Sequence, residues 1–211
     1  MATTATSVQT SSSGSLTKAT IAILGAGAAF FILTDVYKYF LWNEDAYGYY
    51  WQFRLSLILH VTGGLVALVA GVFQLWSGSF RSAMGVHPWT GRLYVAGIVL
   101  GSIGGSVLGV TSAVYGFAWS VGIFGLVFAW LATTGVALHC IRRRNVVAHK
   151  EWMIRSYIVT FGFVTFRMVV DYVPYESAWG VVRADMATAM IWTAWVIPLL
   201  VYQIRLQYKK A

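Results

Sequence analysis

The chain carries four histidines, and three of them share a local pattern. His60 is followed one helical turn later by Gly64, His87 by Gly91, and His139 is preceded by Gly135 at the same spacing. A glycine one turn from an imidazole clears room beside the ring, as the edge of a haem requires when the imidazole is an axial ligand. Tight helix packing asks for the same glycine. His60 lies inside RLSLILHVTGGLVALVAGVFQLW, residues 54–76. Gly64, Ala67, Gly71 and Gln74 follow it at steps of four, three, four and three, so all five residues share one narrow helical face. His87, His139 and His149 cluster by position toward the opposite membrane surface, His87 and His149 in loops that each precede a span. Imidazole suits zinc, copper, iron and nickel, so a transition metal is the second chemistry these side chains offer.

Ionisable residues inside apolar runs form the other group, because an unpaired charge in hydrocarbon costs a few kcal/mol or more. Asp35, Arg167 and Asp171 are of this kind, with Lys38 and Arg54 nearer a span edge. Arg167 and Asp171 are four apart and Asp35 and Lys38 three apart, both spacings that pair along a helix. Asp35, Arg54, Arg167 and Asp171 fall in the membrane half that holds His60. They predict one polar pocket built from spans one, two and five, suited to a small polar solute or a proton. An ion-pair staple between helices would use the same residues. Gln74, Arg92 and Arg155 complete the polar candidates on the side of the other three histidines.

The elements that must position these groups are membrane helices. Of 211 residues, 58% are hydrophobic and only 10% charged, against roughly 25% charged in a soluble domain. Apolar runs near the ~20 residues that cross hydrocarbon recur at about 21–42, 54–76, 93–114, 117–141, 152–173 and 184–206. The expected fold is an all-α, polytopic membrane bundle of six transmembrane helices, with residues 18–211 as a single domain. Residues 1–17, almost all Ser, Thr, Ala and Gly, predict a disordered tail; with no positive charge before Lys18, they do not read as a signal peptide.

Charge fixes the expected orientation. Lys18, Arg81, Arg92, Arg142, Arg143, Arg144, Lys150, Arg155, Arg205, Lys209 and Lys210 fall on one side, and only Lys38, Arg54 and Arg183 on the other. The positive-inside rule then places both termini in the cytoplasm of a multi-pass protein of the cell membrane. Tryptophans at both sets of span ends agree with an aromatic belt. The net charge of +8 is therefore a topology signal, and nucleic acid is not an expected partner. The single cysteine, Cys140, excludes an internal disulfide and a Cys-x-x-Cys metal site. No nucleophile–base pair or phosphate-binding loop is present, which removes soluble-type hydrolases and kinases.

Three blocks carry a family resemblance: His60-x-x-x-Gly64-x-x-Ala67-Leu68-x-x-Gly71-x-x-Gln74; His87-Pro88-Trp89-Thr90-Gly91-Arg92-Leu93-Tyr94; and His149-Lys150-Glu151-Trp152-Met153-Ile154-Arg155-Ser156, with Arg167 following. The segment resembles the domain of unknown function 2306 family, small polytopic membrane proteins of bacteria and fungi. That pattern often has a basic residue where this chain has Pro88. The resemblance implies a membrane fold and marks these residues; it carries no activity. Three functions follow from the residues themselves: a redox protein binding haem b or a transition metal through its histidines, a carrier using the Asp/Arg/His pocket, and a non-catalytic subunit whose glycine faces dock a membrane partner or a second copy.

Overall fold

A computed structural model describes the backbone of residues 4–112 and 116–210, and the side chains of residues 14–112 and 116–208. Helix α1 spans Thr4–Phe31 and continues through a π turn, Ile32–Val36, and a 3₁₀ turn, Tyr37–Leu41. The short α2, Glu44–Tyr47, and a 3₁₀ segment, Gly48–Phe53, lead into α3, Arg54–Phe80. Then come α4, His87–Thr111; α5, Phe117–Arg142; α6, Val146–Tyr172; the short α7, Tyr175–Trp179; and α8, Arg183–Lys210. No strand occurs among the described residues. Six helical segments are long and apolar enough to cross a membrane. The chain is an all-helical, multi-pass membrane protein.

The helix of residues 4–17 falls within the stretch whose composition predicts disorder; residues 1–3 lie outside the described ones. Helices α3 and α5 begin where the apolar runs do, whereas α4 and α6 begin about six residues earlier. Helix α4 starts at His87 instead of about Leu93, and α6 at Val146 instead of about Trp152. Backbone hydrogen bonding does not stop at the hydrocarbon boundary: 25–27 residues make a rod of about 40 Å, longer than the ~30 Å apolar layer. Local chemistry sets these starts. Pro88, with no N–H to lose, occupies the first turn of α4. The Asn145 side chain accepts the Ala148 N–H at 3.0 Å and caps α6. At the far end of α6, Val173 is extended before Pro174, as a residue preceding proline must be.

Helices α3 and α4 pack most closely, antiparallel along a seam of small residues. A Cβ on Gly97 would lie 2.7 Å from Gly63 O and 2.9 Å from Ala67 N. A Cβ on Gly104 would lie 2.5 Å from Ser56 O and 2.6 Å from His60 N. Only glycine permits backbones this close.

A buried hydroxyl network links α4, α5 and α6. Trp130 Nε1 donates to Thr160 Oγ1 at 2.8 Å. The Tyr94 hydroxyl lies 3.0 Å from Thr160 Oγ1 and 2.8 Å from Ser156 Oγ, and Ser156 Oγ is 2.7 Å from Thr134 Oγ1. Thr160 donates to Ser156 O and Thr134 to Trp130 O, so the protons of Tyr94 and Ser156 link the rest. Each donor has an acceptor, which is what burial without water demands. Tyr94, Ile98 and Trp130 are fully buried around it.

Candidate functional site

Beside this network, in the half where α3 begins and α6 ends, lies a cavity of about 600 Å³ that Thr160 also lines. Its walls come from α1, α3, α4, α5, α6 and α8 and are mostly apolar, including Leu57, Leu126, Phe163 and Ile191. His60 and Gly64 line it from α3, Asp35 from the π turn after α1, Arg167 from α6 and Arg183 from the start of α8.

His60 is held by three contacts. Its Nδ1 is 2.8 Å from the Gly101 carbonyl. A carbonyl only accepts, so Nδ1 carries the proton and Nε2 keeps a free electron pair. The ring edge meets Phe163 at 5.2 Å between centroids. Behind it stands Gly105, where a Cβ would come within 3.1 Å of Nδ1. On the cavity side the position one turn along is open: a Cβ on Gly64 would meet nothing within 4 Å. The α3–α4 seam therefore fixes the ring while Gly64 leaves space beside it.

The acidic and basic side chains form a chain at the cavity's polar end. Asp35, almost fully buried, accepts from Thr34 Oγ1 at 2.9 Å and from the Tyr172 hydroxyl at 3.4 Å. Lys38 lies 3.4 Å from Asp35 and Arg167 3.9 Å. Arg167 Nε is 3.0 Å from Asp171 Oδ2, and the other Asp171 oxygen pairs with Arg183 Nη2. The π turn is what places Asp35 here, since the extra residue it accommodates rotates the helix beyond Phe31. Arg183 and Tyr172 are members that sequence reasoning missed. Arg183 counted only as a loop cation, yet the short connection from Asp171 to Arg183 obliges both to end at one membrane depth.

The remaining polar candidates lie elsewhere. Arg54 folds back over Trp51, 5.0 Å from the ring centroid, and donates to Trp51 O. Gln74 is at the arginine-rich end, where its amide donates to His87 O at 2.7 Å and to Thr90 Oγ1. Gly91 makes room for that amide, 3.5 Å from where its Cβ would be, and so clears no space for a ligand beside His87. Exposed Arg92 lies over Trp89 at 4.5 Å. Arg155 sits between Trp152 and Tyr202, 4.6 Å and 5.3 Å from their centroids. Helical depth was legible for these residues, but the direction each faces around its helix was not.

The other histidines are also corrected. His87 and His149 are not in loops but in the first turns of α4 and α6. His87 Nδ1 is 2.7 Å from Ser77 Oγ, His149 Nδ1 donates to Ala137 O at 2.9 Å, and His139 is exposed on α5. Among the described residues no three His, Cys, Asp or Glu side chains converge to hold a metal ion. The three imidazoles share an end of the bundle without sharing a point.

No curated protein and no solved structure matches the chain. A family model described as a predicted membrane protein, DUF2306, matches residues 57–206. That span takes in α3 from its first turn, all of α4 to α7 and most of α8, and with it both the His60 ring and the Arg167–Asp171–Arg183 chain. The chain belongs to the DUF2306 family of predicted membrane proteins.

Proposed function

We propose that this protein binds one apolar molecule with an anionic end in the His60 cavity, and that the molecule is a b-type haem with His60 Nε2 as an axial ligand. The observation that carries the reading is the state of His60. Its Nδ1 proton is committed to the Gly101 carbonyl at 2.8 Å, its ring lines the cavity and the space over Gly64 is unfilled. Metal-binding imidazoles are oriented by such a bond to a carbonyl or carboxylate. Apolar walls suit a porphyrin face, and Arg167 and Arg183 supply cations for its carboxylates. The lining includes no second histidine, and Met190, at a similar depth in α8, is not among the lining residues. The spread of basic residues supports an orientation with Arg142–Arg144 on the cytoplasmic face of the cell membrane, the cavity opening on the other side.

The purified protein, reconstituted with haem, should show a Soret band that shifts on reduction and is lost in His60→Ala and Gly64→Leu. A preparation that takes up no haem overturns the assignment. A colourless preparation carrying a quinone or fatty acid instead would keep the cavity and remove the haem.

The charged chain from Lys38 to Arg183 favours a second reading, a carrier for a small polar solute or proton. Flux into liposomes that does not depend on His60 or Asp171 counts against it. The docking-subunit reading draws no support from the α3–α4 seam, where Gly63, Gly97, Gly101 and Gly104 are filled from within the chain.

A further inference from the structure

A second, shallower groove lies at the opposite end of the bundle, between α5, α6 and α8, with a volume of about 350 Å³. Trp152, Trp195, Leu199 and Leu200 give it apolar walls, and Arg155 and Gln203 form its polar edge. Arg155 is only 13% exposed. Its Nη2 donates to Gln203 Oε1 at 2.7 Å. Its Nη1 is 3.9 Å from Glu151 Oε2, beyond hydrogen-bond length, and makes no hydrogen bond although buried. A buried guanidinium N–H without an acceptor is costly, and the two aromatic rings over Arg155 hold the group in place instead of letting it turn to solvent.

We propose that this groove is a binding site for one anionic phospholipid, its phosphate accepting from Arg155 Nη1 and an acyl chain lying against Trp195, Leu199 and Leu200. The depth agrees. Arg155 is nine residues into α6, about 14 Å from its start. Helices of about 40 Å overhang a ~30 Å apolar layer by roughly 5 Å at each end. The Arg155 backbone therefore lies about 9 Å inside the apolar boundary, and its side chain runs back one turn toward Glu151, which brings the guanidinium toward the headgroups and within reach of a phosphate. Leu200 is exposed at the rim of the groove within an apolar, span-length helix, a position where an acyl chain can enter. Exposed Arg142, Arg143, Arg144, Lys150 and Arg205 at the same end draw anionic headgroups to this leaflet. Glu151 opposes the phosphate and tempers the affinity.

The test is native mass spectrometry of the full chain in detergent with phosphatidylglycerol, phosphatidylcholine or inorganic phosphate added. The wild type should retain one phosphatidylglycerol at about tenfold higher occupancy than phosphatidylcholine. Arg155→Gln should abolish that preference and Glu151→Gln should increase it. Leu200→Trp fills the groove from its rim with Arg155 untouched, and should also lose the lipid. The proposal fails if Arg155→Gln or Leu200→Trp retains phosphatidylglycerol as the wild type does, if neither lipid is held, or if inorganic phosphate displaces the lipid at equal concentration.

Discussion

Replacing Gly104 with alanine tests the seam that holds His60. The new Cβ would lie 2.5 Å from Ser56 O, 2.6 Å from His60 N and 3.0 Å from His60 Cα, where ordinary contact begins at 3.4 Å. Helices α3 and α4 must therefore separate locally by about 0.9 Å, the difference between 3.4 Å and 2.5 Å. The obstructing atoms are backbone, so no side-chain rotation relieves the clash. Overpacking typically costs about 1–3 kcal/mol, and a rigid obstacle puts Gly104→Ala near the upper value. At roughly 2–4 °C per kcal/mol for a chain of this size, its midpoint in detergent should fall by about 6–12 °C. Gly64→Ala is the matched control, since its Cβ meets nothing within 4 Å; better helix propensity leaves it as stable as the wild type or slightly more so. Tryptophan fluorescence or circular dichroism during heating reads both. If the two variants melt together, the seam does not hold His60 as described, and the geometric basis of the site falls with it.

Two further perturbations divide the polar groups by burial. Arg167→Gln removes a partner from Asp35, whose side chain is 6% exposed, and should destabilise by about 1–2 kcal/mol, discounted for the partial exposure of the arginine. Arg183→Gln removes a guanidinium that is 56% exposed, and should cost under about 1 kcal/mol; the reverse order in thermal melts would contradict the pairing. Tyr94→Phe deletes one hydroxyl from the closed network around Ser156 and Thr160. It should cost about 1–2 kcal/mol, and an unchanged midpoint would show that the network contributes nothing to stability.

How far the sequence could be read follows from what each signal encodes. Spans were legible because the bilayer imposes a length, and six apolar runs satisfy it. Their polar first turns were not, because Pro88 and Asn145 start helices in stretches whose composition resembles a loop. The grouping of His60 with Asp35 and Arg167 was inferred from depth, and the structure lines one cavity with all three. Depth alone also gathered His87, His139 and His149, and there it misled, since residues at one level can face different neighbours. Asp35 shows the other gap: its direction depends on a π turn that no hydrophobic period announces. Gly63, which meets Gly97 and Gly101 across the seam, went unremarked because glycines are abundant throughout the chain.

The buried hydroxyl network has a consequence for how three of the helices can move. Tyr94 from α4, Trp130 and Thr134 from α5, and Ser156 and Thr160 from α6 share these hydrogen bonds, so sliding one helix past another would strand buried polar groups. Thr160 also lines the chamber, so the floor of the chamber is its stiffest wall. A bound molecule is accommodated more readily at the exposed Arg183 side chain than at that floor.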